Sequence, residues 1–346
     1  MRSQLQNLLL ILCLILVAAC THSNPSVTTQ NISFVAAGNT LSGTLIMPKN
    51  TNTPLSTLIF VHGDGSINYE AYGYYIPIWQ KLTSKGIAVF SWDKPGVGRS
   101  SGNWHMQTME NRAQEIVEAF KVLKLNGHNN IGVIGFSQAG WVLPLLSDKN
   151  INPDYMIFIS TAINWLEQSK YLTQKRLKKL PIPKKELIKL VNKEESAFNA
   201  LLQKNASYEE YLSKEKSNKS IKSSSPQKPL PKDRYLFIKR NWKSDSLPYL
   251  KDIKAPTLLL FGEEDLNIAV KENAEIYRKE FSKSSHTDFT IKIFPNATHA
   301  LTKASYFNQQ SPGLFSITLI NLLGDDVFAE NVLDYITSWT IKRVNR

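Results

Sequence analysis

The sequence predicts an α/β fold, in which a mostly parallel sheet begins with an antiparallel hairpin and carries a helical insertion. Two observations lead to this prediction. From residue 31 onward, short apolar runs alternate with helical stretches, which is the pattern of a parallel sheet covered on both faces. Between residue 160 and about residue 253 this alternation stops, and a Lys-rich, helix-biased stretch takes its place.

Eight strands are predicted from short runs bounded by turn residues. The first two are joined through Gly38-Asn39, a dipeptide suited to a tight hairpin turn, so they are expected to pair antiparallel. Residues 57–61 and 131–136 are apolar runs of the kind found in strands that are buried on both faces. The predicted strands cover residues 32–36, 41–47, 57–61, 87–92, 131–136, 155–160, 257–261 and 289–294.

Helices are expected around residues 70–84, over residues 108–125 as an amphipathic helix, and from near Trp141 onward. The predicted domains follow from these elements. An α/β core spans residues 31–160 and 254–346, and residues 161–253 form a basic helical cap, or lid, inserted into it. Within the cap, residues 217–231 are rich in Ser, Lys and Pro and are expected to form an exposed loop.

The basic charge of the chain is concentrated in the cap. Residues 170–254 hold 22 Lys or Arg against 9 Asp or Glu, a formal +13, while the whole chain carries +12. A solvated helical surface explains such a charge, and so does attraction to anionic lipid head groups or lipopolysaccharide. Nucleic-acid binding is disfavoured, because no recognised motif is present and the chain is predicted to be exported.

The first twenty residues have the pattern of a bacterial export signal. Arg2 is followed by the apolar run 8–17, and small residues precede Cys20. The apolar run is too short to span a bilayer, so cleavage is expected. Residues 17–20, Val-Ala-Ala-Cys, resemble the lipobox, in which the Cys becomes the acylated first residue of the mature protein. A plain secretory signal is the alternative.

The two cysteines of the chain fit lipidation of Cys20. Cys13 lies in residues 1–19, which are predicted to be removed, so the mature protein would have one cysteine and no intramolecular disulfide. Residues 20–30 are rich in Ser, Thr and Asn and are expected to form a flexible tether. We therefore expect the protein to be lipid-anchored in the bacterial cell envelope, with the outer membrane or periplasmic face favoured.

The strongest chemical signal is Gly-Phe-Ser-Gln-Ala-Gly at residues 135–140, directly after a predicted buried strand and before a helical stretch. Strand, sharp turn and helix in that order are the context of a nucleophile elbow, with Ser137 at the turn. Small flanking residues allow the strand and the helix to pack closely. Ala139 stands at a position where the motif usually has Gly, and Ala is the least bulky substitute.

With this motif in this context, the chain resembles the α/β-hydrolase superfamily. It is most similar to capped esterase-like or lipase-like members, grouped as serine aminopeptidase S33 or dienelactone-hydrolase-like proteins. The resemblance covers residues 31–160 and 255–346, with the cap between them. It implies an α/β-hydrolase fold and a nucleophile, an acid and a histidine in that chain order, each after the carboxyl end of a strand.

His299 is the histidine that fits this arrangement. It follows the last predicted strand by a few residues, on the rim of the sheet where catalytic groups gather. His128 and His286 each precede a predicted strand and are expected on the opposite rim. His22 lies in the tether, and His105 lies in a loop before a helix.

The expected acid is Asp265, which stands a few residues after the strand 257–261, where the family has its carboxylate. Glu263 and Glu264 are close enough to be rivals for this role. The acid would hold the tautomer of His299 and stabilise the imidazolium.

The resemblance also places the donors of an oxyanion hole. These are the backbone N–H of Gln138 and an N–H from the loop after the third strand, for which Asp64 is the best single choice. His62 ends that strand, and a histidine at this place usually shapes the oxyanion loop. Residues 93–100, Asp-Lys-Pro-Gly-Val-Gly-Arg-Ser, resemble a turn common in the superfamily and lack the spacing of a nucleotide-binding loop.

The predicted function is hydrolysis of acyl esters, carboxylic or thio, through an acyl-enzyme on Ser137. A peptidase or amidase with the same residues is one alternative, and a catalytically inactive envelope-binding lipoprotein is another. No cofactor and no metal site are expected. Six aromatic residues of the cap either line an acyl pocket or form the core of the cap itself. They are Trp165, Tyr171, Phe198, Tyr208, Tyr211 and Trp242.

Overall fold

The computed structural model describes residues 27–49, 51, 53–217, 228–310 and 313–345. The predicted signal segment 1–19 and the predicted lipidation site Cys20 lie outside these residues. All eight predicted strands are present and form one sheet. They are β1 (Val27–Ala36), β2 (Asn39–Pro48), β3 (Ser56–Val61), β4 (Ile87–Trp92), β5 (Ile131–Phe136), β6 (Met156–Ile159), β7 (Thr257–Gly262) and β8 (Phe289–Phe294).

The order of strands across the sheet is β1-β2-β4-β3-β5-β6-β7-β8. β1 pairs antiparallel with β2, and β2 pairs antiparallel with β4, while every later pair is parallel. The predicted fold class is therefore confirmed. Because β3 to β8 all run in one direction, their carboxyl ends meet at one rim, and the loops that leave them lie side by side.

Burial explains why the apolar runs form the centre of the sheet. Every residue of β3, β4, β5, β6 and β7 is buried, as expected of strands covered by helices on both faces. β1 instead alternates buried with exposed residues over its second half, and β8 at the opposite edge is largely exposed or half-buried.

Two details of the first hairpin differ from the prediction. β1 begins at Val27, so the last four residues of the predicted tether belong to the sheet, where Thr28 and Thr29 pair with Met47 and Ile46. The turn lies one residue earlier than expected, because Asn39 already pairs with Ala36. Both turn residues, 37 and 38, have positive φ, 47° and 79°, which matches the twist of the two strands.

Ten α-helices lie in the described part of the chain. They are α1 (Ile76–Thr83), α2 (Met109–Leu125), α3 (Trp165–Leu177), α4 (Lys184–Gln203), α5 (Tyr208–Ser217), α6 (Lys232–Asn241), α7 (Val270–Lys283), α8 (Ala304–Phe307), α9 (Leu314–Leu323) and α10 (Val332–Val344). None of these helices is long and apolar enough to cross a membrane.

The helix expected from near Trp141 is replaced by two short 3-10 helices, Ser137–Trp141 and Leu143–Lys149. Pro144 gives the physical reason. Its ring would clash with the carbonyl of Gly140 in a continuous α-helix, and it has no N–H to donate. The chain therefore starts a second helix at this point.

Helices α3 to α6 lie between β6 and β7, in the segment predicted as the cap. Phe198, Tyr208, Tyr211 and Trp242 pack there with the buried ring of Tyr235 in a separate apolar cluster. These four aromatic residues thus form the core of the segment rather than an acyl pocket. No Lys or Arg of the segment is buried among the residues described, which fits a solvated helical surface.

Candidate active site

Ser137 lies at the sharp bend between β5 and the first 3-10 helix after it. Its φ is +50°, a strained value for a residue with a side chain. Gly135 and Gly140 make the bend possible. A Cβ on Gly135 would lie 2.8 Å from the methyl of Ala139, and a Cβ on Gly140 would lie 2.6 Å from the carbonyl oxygen of Ala162. The methyl group of Ala139 fits at the bend because Gly135 has no Cβ to clash with it.

The structure brings Ser137, His299 and Asp265 together. The Nε2 atom of His299 lies 2.8 Å from the Oγ of Ser137, and its Nδ1 atom lies 2.7 Å from Oδ2 of Asp265. The three residues follow β5, β8 and β7, whose carboxyl ends share one rim of the sheet. With the Nδ1–H donated to the carboxylate, Nε2 is free to accept the proton of the serine hydroxyl.

The carboxylate of Asp265 is fixed by a second set of hydrogen bonds. Its Oδ1 atom accepts the backbone N–H groups of Asn267 and Ile268, at 2.7 Å and 3.0 Å. The Asp265 side chain has no exposed surface, whereas the rival residues Glu263 and Glu264 are both exposed. The geometry thus singles out Asp265 among the three carboxylates that the sequence left open.

Tyr171, on α3, extends from the insertion to the same loop. Its hydroxyl donates to the backbone carbonyl of Asp265 at 3.0 Å. Burial, followed by the negative charge of Asp265, raises the pKa of Tyr171 to about 12, so its hydroxyl stays protonated as a donor. The sequence indicated Tyr171 only as a pocket or core residue, and nothing in its spacing indicated this contact.

The loop after β3 lies directly against the serine. A Cβ on Gly63 would be 3.4 Å from the Cβ of Ser137 and 3.4 Å from the carbonyl of Phe136. Gln138 directly follows Ser137 in the chain. It lies in the first turn of a 3-10 helix, where backbone N–H groups have no acceptor within the helix.

Side chains of Gln138 and Asp64 are linked in a chain of polar contacts that sequence reasoning missed. Arg112, on α2, donates to Oε1 of Gln138 at 2.6 Å, and Nε2 of Gln138 donates to Asp64 at 3.2 Å. Asp64 also accepts two hydrogen bonds from Arg234, on α6, at 2.8 Å and 2.5 Å. The second guanidinium nitrogen of Arg112 donates to the backbone carbonyl of His62.

Burial and neighbouring charges shift the pKa values of Asp64, Arg112 and the nearby Glu115. Burial opposes ionisation of Asp64, but the charge and hydrogen bonds of Arg234, together with the charges of Lys94 and Arg112, lower the pKa of the carboxyl. The pKa of Arg112 is lowered by its burial. Burial likewise raises the pKa of Glu115 to about 7, although Arg112 opposes the rise. Glu115 accepts from the indole of Trp92 at 3.2 Å.

His62 supports the loop and does not reach the serine. Its Nε2 lies 2.6 Å from the carbonyl of Trp92, and its Nδ1 lies 3.1 Å from the hydroxyl of Tyr75. Burial lowers the pKa of His62 to about 3, so the ring is neutral and its Nε2–H donates to the carbonyl. His128 and His286 bond to threonines at the starts of strands, on the rim away from Ser137.

The turn after β4 braces the loop after β3. Asp93 accepts the backbone N–H groups of Tyr69 and Arg99, at 2.9 Å and 3.0 Å. Gly98 has a φ of +53°, and a Cβ there would lie 2.3 Å from the Asp93 carboxylate. This contact explains the glycine in the motif and fits the tight turn that the sequence predicted.

No group of three or more residues suited to hold a metal ion occurs among the described His, Cys, Asp and Glu side chains. The site itself joins a serine hydroxyl, an imidazole and a buried carboxylate by hydrogen bonds. This combination defines a class of proteins, the α/β-hydrolases, once it is set on the sheet described above.

Comparisons with known proteins support this class. The serine aminopeptidase S33 family matches residues 52–304, so the chain belongs to that family and is an α/β-hydrolase. Comparison with curated protein sequences gives no significant match.

Solved structures of similar fold include an esterase from Pyrococcus furiosus, with 20% identity and a TM-score of 0.52 over 80% of this chain and 85% of that one. Est1E from Butyrivibrio proteoclasticus, bound to ferulic acid, has 14% identity and a TM-score of 0.54 over 91% of this chain and 100% of its own. Proline iminopeptidase from Mycobacterium smegmatis has 14% identity and a TM-score of 0.56 over 91% and 99%.

Proposed function

We propose that the protein cleaves acyl esters, carboxylic or thio, through an acyl-enzyme on Ser137. The observation that carries this proposal is the continuous line of hydrogen bonds from the Ser137 hydroxyl through His299 to the buried Asp265. A serine hydroxyl is a poor nucleophile at neutral pH unless a base takes its proton as it attacks. His299 is at the distance that this transfer requires.

In the proposed cycle, Ser137 attacks the acyl carbon while His299 takes its proton, and Asp265 stabilises the imidazolium. The backbone N–H groups of Gln138 and Asp64 donate to the oxyanion of the tetrahedral intermediate. His299 then gives the proton to the leaving alcohol or thiol, which leaves the acyl group on Ser137. Attack by water, again with His299 as base, releases the acid.

Esters are favoured over substrates with a free amino terminus because of the state of Asp64. A cationic amino group would need an unpaired carboxylate near Ser137. Asp64 stands in the adjacent loop, but both of its carboxylate oxygens accept from Arg234. The peptidase alternative retains support from the family name and from the proline iminopeptidase of similar fold. The inactive-lipoprotein alternative is disfavoured, because the three side chains are aligned for proton transfer.

The envelope location is a separate proposal, supported by the sequence of residues 1–30 alone. A lipid on Cys20 would hold the protein at the membrane, with a short linker before β1 at Val27. Contact of the basic insertion with anionic lipid remains part of this proposal.

Substitution of Ser137 by Ala tests the nucleophile. The variant should lose hydrolysis of p-nitrophenyl butyrate, by on the order of 10⁶-fold in kcat, because the attacking oxygen is gone. It should also lose labelling by a fluorophosphonate probe, which reacts readily only with an activated serine. Undiminished turnover or labelling in Ser137→Ala would contradict the assignment.

A comparison of leaving groups tests the substrate class. Purified protein should hydrolyse p-nitrophenyl butyrate with a kcat/KM more than about tenfold above that for alanine p-nitroanilide, a difference of about 1.4 kcal/mol in transition-state stabilisation. The p-nitrophenol and p-nitroaniline released are followed by absorbance. Preference for the aminoacyl amide would replace the ester proposal by the peptidase alternative.

Substitution of Asp265 by Asn tests the acid. The amide donates where the carboxylate accepted, so His299 is held in the wrong tautomer, and kcat for p-nitrophenyl butyrate should fall on the order of 10⁴-fold. Glu264→Gln is the matched control, because Glu264 is one residue away and exposed. Its kcat should stay at the wild-type value. The assignment of the acid fails when Glu264→Gln gives the larger loss.

Metabolic labelling with an alkyne analogue of palmitate tests the anchor. Wild-type protein made in a bacterial host should carry the label, and Cys20→Ser should not, since the acylated sulfur is missing. Cys13→Ser is the control and should keep the label, because Cys13 lies in the predicted signal segment. Equal labelling of Cys20→Ser and wild type would rule out lipidation at this residue.

A further inference from the structure

Lys94 is a buried amine beside the proposed oxyanion loop. Its residue is 2% exposed, and its Nζ atom donates to the backbone carbonyl of Gly63 at 3.0 Å. The indole ring of Trp104 covers the Nζ atom at 5.3 Å. The Lys94 backbone N–H also donates to the carbonyl of Ile67 at 3.1 Å, so one residue bonds to both ends of the loop 63–67.

The hydrogen bond from Lys94 to the carbonyl of Gly63 also affects the direction of the next backbone N–H, which belongs to Asp64. In a planar trans peptide unit, the carbonyl of one residue and the N–H of the next point in opposite directions. The carbonyl of Gly63 and the N–H of Asp64 form such a unit. Holding the carbonyl against Lys94 therefore holds the N–H of Asp64 in the reverse direction. A hydrogen bond donated to the carbonyl also polarises the peptide unit, which makes its N–H a stronger donor.

Arg112 acts on the preceding peptide unit in the same way, because it donates to the carbonyl of His62. Two buried basic side chains thus hold two successive carbonyls of the loop that packs against Ser137. Burial, followed by the charge of Arg112, lowers the pKa of Lys94 well below its usual range. Both protonation states of the amine keep an N–H for the Gly63 carbonyl.

The stability of the folded protein does not explain why a buried amine stands at residue 94. Burying an ionisable amine is costly before any partner is counted, and the hydrogen-bond acceptor of Lys94 is a neutral carbonyl. A Met of similar length would fill the same space without that cost. A residue that is expensive for folding and lies beside a reactive group is better explained by function.

We propose that Lys94 is a positioning residue of the oxyanion hole, which aims the backbone N–H of Asp64 at the tetrahedral intermediate by holding the carbonyl of Gly63. The inference rests on the proposed function of Ser137. It concerns stabilisation of the transition state and not substrate binding, so its signature is a loss in kcat without a change in KM.

Lys94→Met is the first test, since Met keeps the stem against Trp104 and removes the donor. For p-nitrophenyl butyrate, kcat should fall about 10- to 100-fold, less than the roughly 100- to 1000-fold loss for a deleted oxyanion donor. KM should stay within about twofold, and the midpoint of urea unfolding should not fall. Lys121→Met, an exposed lysine on α2, is the control and should behave as wild type.

An alkyl trifluoromethyl ketone gives an independent readout, because it adds to an activated serine as a tetrahedral oxyanion. Its inhibition constant should rise in Lys94→Met by the same factor by which kcat/KM falls. An unchanged inhibition constant, or a kcat within about twofold of wild type, overturns the proposal.

Chemical rescue keeps the test decisive even when Lys94→Met folds poorly. Lys94→Ala leaves a cavity of the shape of n-propylamine, which should restore kcat at least about tenfold at saturation. Lys94→Met has no such cavity, so the amine should leave its kcat unchanged, and this comparison removes any effect of aminolysis. Equal responses of the two variants, or none in Lys94→Ala, count against the proposal. Ester hydrolysis retained by Ser137→Ala would instead defeat the proposed function itself.

Discussion

The hydrogen bonds of the His299 ring are the constraint on which the rest of the site depends. The ring, which lies in the loop after β8, must form hydrogen bonds with Ser137 after β5 and with Asp265 after β7. Hydrogen bonds tolerate only a few tenths of an ångström, so three loops distant in sequence must be fixed together. A parallel sheet does this, because its strand ends are held in register by the pairing of β5 with β6, β6 with β7 and β7 with β8.

The serine itself adds strain that the sheet must offset. A residue at φ +50° is held there by its surroundings, which costs on the order of 1–3 kcal/mol. The fully buried β5 on one side and the packing of Gly140 against residues 161 and 162 on the other supply that support. The strain is confined to Ser137, whereas the packing that holds the bend involves the whole sheet. The strained bend is therefore tolerated, although folded proteins are only marginally stable.

Much of the fold followed from the sequence because the relevant signals are local. Short, mostly apolar runs of five to seven residues indicated all eight strands, and the position of each histidine relative to a strand placed His299 on the rim of Ser137. The bend was visible for the same reason, since glycines flank the serine within three residues. The prediction of one helix after it was wrong, because Pro144 breaks the turn that precedes it even though the surrounding residues favour a helix.

What sequence could not give were contacts between residues far apart in the chain. Which of Glu263, Glu264 and Asp265 is the acid that bonds to His299 depends on which side chain points into the protein. Their spacing in the sequence carries no information about that. Lys94 appeared only as a member of a turn motif, and its bond to Gly63 spans 31 residues. The aromatic residues of the insertion showed the same limit, because composition cannot tell a pocket lining from a small core.

The contacts of the insertion suggest why it belongs to the site rather than merely covering it. Arg234 holds the carboxylate of Asp64 on the oxyanion side, while Tyr171 donates to the backbone of Asp265 on the acid side. Asn241 fixes the same helix as Arg234 to the carbonyl of Gln107 at 3.0 Å. An insertion that bonds to residues on both sides of the serine holds them at a set separation. The packing of the insertion against the core therefore also aligns the reacting groups. Substitutions inside its aromatic core should lower the rate of hydrolysis, because they disturb the contacts with Asp64 and Asp265.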